Sequence, residues 1–255
     1  MSSSIDVVDT LWQVHNDPAG GHEQALADLD EISLAQGQRY QLALLERWLA
    51  QGEQLGGWKI GMTSGANRNS MGDGIRPFGY ILASRIKTAA DELSVNTLHR
   101  GQVENELCFL IGRELGAGAT AADAFDAVQA ALPGFEINQK RLPAGAAAGL
   151  RVADDLSNWG IVIGEPVEPP ADLDDLTVTL SGSEGVIEAV PSAGHIDNHY
   201  DSLAILANTL AEYGHSLQPG QYVITGAYGK TAFASGTYHG DFDPGIGRVT
   251  VHLGA

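Results

Sequence analysis

Val103-Glu104-Asn105-Glu106-Leu107-Cys108-Phe109-Leu110-Ile111 reads as a β-strand that enters a buried sheet. Side chains alternate faces along a strand, so Glu104 and Glu106 point the same way. Past Glu106 both faces are apolar, which places the strand inside a sheet covered on both sides. Two neighbouring carboxylates at such a position repel each other and resist desolvation. A bound cation removes both costs, and hard oxygen ligands select Mg²⁺, Mn²⁺ or Ca²⁺ over softer metals. Taken alone, the pattern also fits an exposed strand end with two solvated acids.

On the N-terminal side of this strand the texture is helical over the first fifty residues. Apolar residues recur at helical spacing from Ile32 to Leu49, and a shorter helix is expected between Asp9 and His15. Gly52 and the Gly56-Gly57 pair end the helical region. Beyond it lie short apolar runs between turns. Strands are predicted at Trp58 to Met62, Phe78 to Ala83, Gly160 to Gly164, Leu176 to Leu180, Val186 to Val190, Gln221 to Thr225 and Val249 to Leu253. Helices are predicted over Ala121 to Ala131, capped by Thr120 and stopped by Pro133, and over Tyr200 to Tyr213. The small-residue stretch Leu142 to Leu150 reads as a mobile loop. The sum is an α+β chain, with a mainly helical region over 1–75 and a β-rich region over 76–255.

Composition narrows the function classes. Hydrophobic residues make up 44%, which marks a globular chain. Lys plus Arg is 14 against 32 Asp plus Glu, a net charge of −18, and a surface this acidic repels phosphate backbones, so no nucleic-acid partner is expected. Any anionic small substrate needs local positive charge. The single cysteine, Cys108, excludes an intrachain disulfide and fits a reducing compartment. The N-terminal MSSSIDVVDTLWQ lacks a basic start followed by an apolar run, so no signal peptide is expected, and no apolar stretch is long enough for a membrane span. The cytoplasm is the expected location.

Three further segments carry residues fit for chemistry. Glu136 stands alone in the apolar run Leu132-Pro133-Gly134-Phe135-Glu136-Ile137 and wants a partner, either a basic side chain or a shared metal. With Glu104 and Glu106 it would make one face of an octahedral site and leave positions for water and substrate. Asp154, Asp155, Ser157 and Asn158 cluster just before the strand at Gly160, a rigid place for site residues or a turn with a capping Asp. Lys59 lies inside the apolar Gly57-Trp58-Lys59-Ile60-Gly61-Met62 strand, where a lysine has an anionic partner, a catalytic role or an edge to reach solvent.

GWKIGMTS from Gly57, FGYILAS from Phe78, VENELCFLIG from Val103, LPGFEI from Leu132, VADDLSNWGIVIG from Val152 and GQYVITGAYG from Gly220 occur in this order. Together they resemble the 2-keto-4-pentenoate hydratase and 4-oxalocrotonate decarboxylase family, in the fumarylacetoacetate hydrolase superfamily. The resemblance runs from about Tyr40 to the C-terminus. It implies a mixed β-roll behind an N-terminal helical part, with 76–255 as the catalytic domain, in a homo-oligomer. It implies Mg²⁺ or Mn²⁺ on Glu104, Glu106 and Glu136, and it places Lys59, Asp154 and Ser157 near a small 2-oxo or 2-hydroxy dienoate substrate. The implied reaction is hydration of a 2-hydroxy-2,4-dienoate to a 4-hydroxy-2-oxo acid. Alternatives are decarboxylation of a 4-oxalocrotonate-like 2-oxo dicarboxylate, a noncatalytic partner subunit, and C–C bond hydrolysis on the same fold.

The chain departs from the family pattern at specific positions. Pro77 stands where hydratases of the family carry an acid before Phe-Gly, so a carboxylate for acid–base work is missing there. Asp155 replaces the usual Asn after Val-Ala-Asp. His239 is either a replacement acid–base group or a surface histidine, and Arg76 either meets a second substrate carboxylate or is simply exposed.

Overall fold

The computed structural model describes residues 6–27 and 32–255. The chain is α+β. Helices α1 (Val7–Asn16) and α2 (Leu34–Ala50) open it, each with a side-chain N-cap. Asp6 accepts the Asp9 N–H, and Ser33 forms a reciprocal capping box with Gln36. The parts of the expected helical region at positions 1–5 and 28–31 lie outside the described residues. The inner face of α2 is amphipathic with a polar centre. Gln41 is buried between Leu44, Leu45 and Trp48, and its Nε2 donates to the carbonyls of both Phe78 and Val152 at 2.8 Å. One amide thus fastens α2 to two other segments and leaves no orphaned donor.

The first sheet contains β1 (Leu55–Ile60), β2 (Phe78–Leu82), β3 (Ile86–Thr88), β5 (Gly101–Ile111), β6 (Val128–Gln139), β7 (Asn158–Ile163) and β10 (Tyr222–Ala232). Their order is β2-β1-β10-β5-β6-β7-β3, with β1/β10 and β3/β7 parallel. The second sheet contains β4 (Glu92–Ser94), β8 (Thr177–Gly182), β9 (Gly185–Pro191), β11 (Gly236–Asp243) and β12 (Gly247–Gly254), in the order β4-β12-β11-β8-β9. Both sheets are mixed, and they enclose one core that joins Val103, Leu107, Phe109 and Phe135 of the first to Leu180, Phe242 and Val249 of the second. The expected boundary at residue 75 falls between β1 and β2, which pair with each other. No helix among the described residues is long and apolar enough to cross a membrane.

Two local expectations are corrected. The helix predicted over Ala121 to Ala131 stops early: α3 spans Ala121–Ala127, and β6 begins at Val128. Its alanines favour helix, but pairing with β5, Leu110 with Ala130 and Cys108 with Leu132, outweighs that weak propensity. Thr120 does cap α3, with Asp123 closing the box. Pro133 ends no helix; it lies within β6. Ala131 donates its N–H to Val167 O at 3.0 Å, away from β5. Two residues on, the N–H that Pro133 lacks would face the same side, so the β5 ladder loses nothing.

The second correction concerns Leu142 to Leu150, read as a mobile loop. Its end forms α4 (Ala148–Ala153), packed hard against α2. A Cβ on Gly37 would come within 2.0 Å of Gly149 O, and one on Gly149 within 1.9 Å of Ile32 O. Gly37 and Gly149 serve backbone-to-backbone contact.

Helix α5 (His199–Glu212) carries a buried histidine. His199 Nδ1 meets Thr225 Oγ1 and Nε2 meets Tyr228 Oη, each at 2.7 Å. Burial lowers its pKa from 6.5 to about 3, so the folded state holds the neutral ring. A depressed histidine pKa leaves stability intact above the unfolded value, and stability is lost as pH falls below it toward the folded value. The expected loss from this group between about pH 7 and about pH 5 is roughly 2 kcal/mol. Urea midpoints of the wild-type and H199Q proteins at the two pH values check this: the variant should lose less stability by that amount, and equal losses would exclude His199 as the sensor.

Candidate active site

The site grows out of one ladder. Antiparallel pairing of β5 with β6 sets Glu104 directly opposite Glu136, and the two-residue period puts Glu106 on the same face. One oxygen from each of Glu104, Glu106 and Glu136 lies within 4.8 Å of the others. Glu106 is 3% and Glu136 1% exposed, while Glu104 is half-buried. From β1, beyond β10, Lys59 reaches across, and its Nζ donates to Glu136 Oε1.

Strand β10 is bent to serve this ladder. Its register against β5 shifts between Ile224 and Ala227, a bulge that takes Gly226 N–H out of the regular pairing. That N–H donates to Glu106 Oε2 at 2.8 Å. Gly226 has φ of +126°, and a Cβ there would meet Thr63 Oγ1 at 2.1 Å, so only glycine fits. Thr63 is itself fixed by donating to Thr225 O at 2.8 Å.

The electrostatics arise from burial and from three acids facing one ammonium. Burial raises Glu104 to about 6, with Glu136 adding to the rise and Lys59, Lys230 and Lys140 opposing it. Burial also pushes Glu106 well up, with Glu136 reinforcing it; Lys59 and the Gly226 N–H pull the other way. For Lys59, burial alone would lower the pKa. The combined field of Glu136, Glu106 and Glu104 outweighs it, and the pKa stands above its ordinary value. Lys59 is a buried ammonium. Without a further positive charge the acid cluster is under-compensated, and it holds protons that a cation would displace. An all-carboxylate donor set with this proximity fits a hard divalent ion.

These groups line a cavity of about 240 Å³, whose walls also include Ser157, Leu156, Asn138, Gln102 and Thr63. The structure therefore brings together Glu104, Glu106, Glu136, Lys59 and Ser157. It does not bring Asp154 to the cavity wall. Asp154 is fully buried, and its Oδ1 accepts from Arg141 Nε at 2.8 Å and contacts His15 Nε2 at 3.0 Å. Arg141 Nη2 also donates to the carbonyls of Asp154 and Asn158 at 2.9 and 3.0 Å. This node joins α1, the end of β6 and the end of α4 behind the cavity.

The backbone after Asp154 is unusual. Asp155, Leu156 and Ser157 have φ of +58°, +52° and +67°. Three successive non-glycine residues in this region are strained and persist only when their surroundings hold them. Asp155 supplies one hold: its Oδ1 accepts the Tyr80 N–H at 2.8 Å. The turn delivers Ser157 to the cavity.

The other singled-out residues lie elsewhere. His239 meets Thr250 Oγ1 at 2.9 Å within the second sheet, and Arg76 Nε is paired with Asp197 at 2.7 Å. Pro77 lends its carbonyl to Gly61 N–H at 2.7 Å. Cavity residues that no sequence motif marks include Gln102, Asn138 and Lys140, each found by stepping the two-residue period outward from Glu104 or Glu136. Lys230 is legible only from the β10–β5 register, which sets it opposite Glu104.

No known family profile matches the chain. Individual relatives do. A 2-keto-4-pentenoate hydratase of Paraburkholderia phymatum is 31% identical over 206 residues, 78% of either chain. A 4-oxalocrotonate decarboxylase of Pseudomonas is 26% identical over 205 residues, again 78% of either. Among solved structures, 4-oxalocrotonate decarboxylase from Pseudomonas putida G7, complexed with magnesium and adipate, superposes with a TM-score of 0.87 at 22% identity over 97% of both chains. Fumarylpyruvate hydrolase from Pseudomonas aeruginosa, complexed with Mn²⁺ and pyruvate, gives 0.57 at 18% identity over 77% of this chain and 88% of its own. The chain belongs to the 2-keto-4-pentenoate hydratase and 4-oxalocrotonate decarboxylase family.

Proposed function

We propose that the protein is a divalent-metal-dependent hydro-lyase that adds water to a 2-hydroxy-2,4-dienoate and releases a 4-hydroxy-2-oxo acid. The observation that carries this is the set of three clustered carboxylates and one buried ammonium on a single cavity wall, in a chain 31% identical to a hydratase. Glu104, Glu106 and Glu136 hold the ion, Mg²⁺ or Mn²⁺. Magnesium and manganese in the two structural neighbours support a divalent ion here. Bound there, it supplies Lewis acidity toward the 2-oxo acid head of the substrate.

The chain's own groups do the rest. Lys59, charged and shielded from solvent, gives a proton to C5 of the dienol and the 2-hydroxyl proton returns to the amine, which turns the substrate into its unsaturated 2-oxo tautomer. Water then adds at C4 and a proton at C3. The Ser157 hydroxyl, held by its strained turn, positions the substrate or that water. Asp154 acts at a distance, by anchoring the segment that carries Ser157. The buried thiol of Cys108 fits a cytoplasmic setting.

Decarboxylation of a 2-oxo dicarboxylate is the second reading, favoured by the 0.87 TM-score to the decarboxylase. A side-by-side ultraviolet assay with 2-hydroxypenta-2,4-dienoate and 4-oxalocrotonate separates the two. Hydration adds the mass of water and decarboxylation removes that of carbon dioxide. Chelation, E106Q or E136Q should each lower turnover on the order of a thousandfold, the scale of several kcal/mol of lost electrophilic help; full turnover of the chelated protein would end the metal scheme.

Lys59 makes a separate prediction. K59M should lower kcat about a hundredfold or more while Mn²⁺ still binds, as read by electron paramagnetic resonance. An unchanged kcat would remove Lys59 from the proton path.

A further inference from the structure

We propose that His199 is a positioning residue for the metal site: by bonding both flanks of the β10 bulge it holds the Gly226 N–H on Glu106, and so sets how tightly the ion is bound. The proposal rests on the reading of Glu104, Glu106 and Glu136 as metal ligands.

The bulge needs a hold from outside the sheet. Thr225, Gly226 and Tyr228 have no register partner on β5, and the register shifts a second time between Ala227 and Gly229. Regular pairing would return the Gly226 N–H to the ladder and take it from Glu106 Oε2. His199 supplies the hold. Its Nδ1 meets Thr225 Oγ1 on one side of the bulge and its Nε2 meets Tyr228 Oη on the other, each at 2.7 Å. A histidine that merely filled the core against Phe109 could find its partners anywhere; both partners here flank the residue whose N–H meets Glu106.

The contacts run on into one directed chain. Tyr228 Oη is also 2.7 Å from Ser192 Oγ, and Thr225 Oγ1 donates to Leu107 O at 3.3 Å. Each hydroxyl and the neutral ring has one proton to give, so a single direction satisfies every member. Ser192 donates to Tyr228, Tyr228 to Nε2, and Nδ1 to Thr225, whose own proton goes to Leu107 O. The reverse direction would point the Thr225 proton at the ring and leave that carbonyl without it. Leu107 has no register partner on β10 and follows Glu106 directly, so the chain ends beside the ligand it serves. Glu106 is held twice, at its carboxylate by Gly226 and at the next peptide by Thr225. His199, Thr225, Ser192 and Tyr228 are all buried, so losing one bond strands its partner away from water. Other side chains hold the rest of the bulge. His195 Nε2 meets Ala227 O at 3.1 Å, and Asn105 Oδ1 accepts the Gly229 N–H at 2.6 Å.

General loosening of the fold would weaken any site, so the test separates the clamp from stability. T225V and Y228F each remove one hydroxyl from the chain with little change of shape. Each should weaken Mn²⁺ binding about tenfold or more in an electron paramagnetic resonance titration, the scale on which partners of metal ligands act. L210V is the control. It loosens the same helix about 16 Å further along its axis, away from the bulge, and should bind Mn²⁺ as the wild type does. All are compared at a temperature where circular dichroism shows them folded, and H199Q replaces a clamp variant that does not fold. Wild-type affinity in either clamp variant, or an equal loss in L210V, overturns the clamp. If the wild type itself binds no Mn²⁺, the three-glutamate reading fails and the clamp falls with it.

Discussion

Three carboxylates and one ammonium share a face of the first sheet because β5 and β6 pair with Glu104 opposite Glu136. A slip of one residue would turn Glu104 and Glu106 to the other face and destroy the cluster. The register is held by an apolar core that continues along both strands, through Leu107, Phe109, Ala131 and Phe135, all fully buried. Hydrophobic burial therefore fixes where the charges stand, and those charges are left in excess. The cost of keeping three acids out of water with Lys59 as the one buried lysine to answer them is the physical basis for expecting a cation.

Around this cluster, backbone geometry carries much of the function. The β10 bulge frees one N–H for Glu106, and Gly226 exists because Thr63 occupies the space a side chain would need. On the opposite wall the left-handed run Asp155-Leu156-Ser157 is held between the Tyr80 N–H and the Arg141–Asp154–His15 node. The replacement of Asn by Asp at 155 keeps an acceptor for Tyr80. Its burial raises its pKa well above the usual carboxylate range, so a neutral carboxyl performs the job an amide oxygen would.

Most of the fold is legible in the sequence because its signals are local: helical spacing in α1 and α2, and apolar alternation in β1, β2, β5, β7 and β12. The failures share a cause. Local propensity misreads the alanines of 121–131 and Gly149, because partners distant in sequence set their structure, β5 in one case and the start of α2 in the other. The site divides the same way. Glu104 and Glu106 come from periodicity on one strand, whereas Glu136 and Lys59 join them only through pairing, which the family resemblance supplies. Asp154 sits beside a serine that does reach the cavity. Its own direction depends on a buried arginine that no motif announces.

The acidity of the whole chain sharpens what the site must do. A net charge of −18 repels an anionic substrate at a distance, and repulsion grows as the anion gains charge. Binding a carboxylate head is then possible only if the field reverses sign near the opening. Screening confines the surface repulsion to about 10 Å at ordinary ionic strength, a range over which the exposed cations that line the cavity, Lys140, Arg151 and Lys230, can dominate. The acids beyond them would restore the barrier if left bare, so these cations and a divalent ion inside would be two parts of one electrostatic path. In the proposed reading those cations would admit the anion, and an ion on the three glutamates together with Lys59 would keep them from rejecting it.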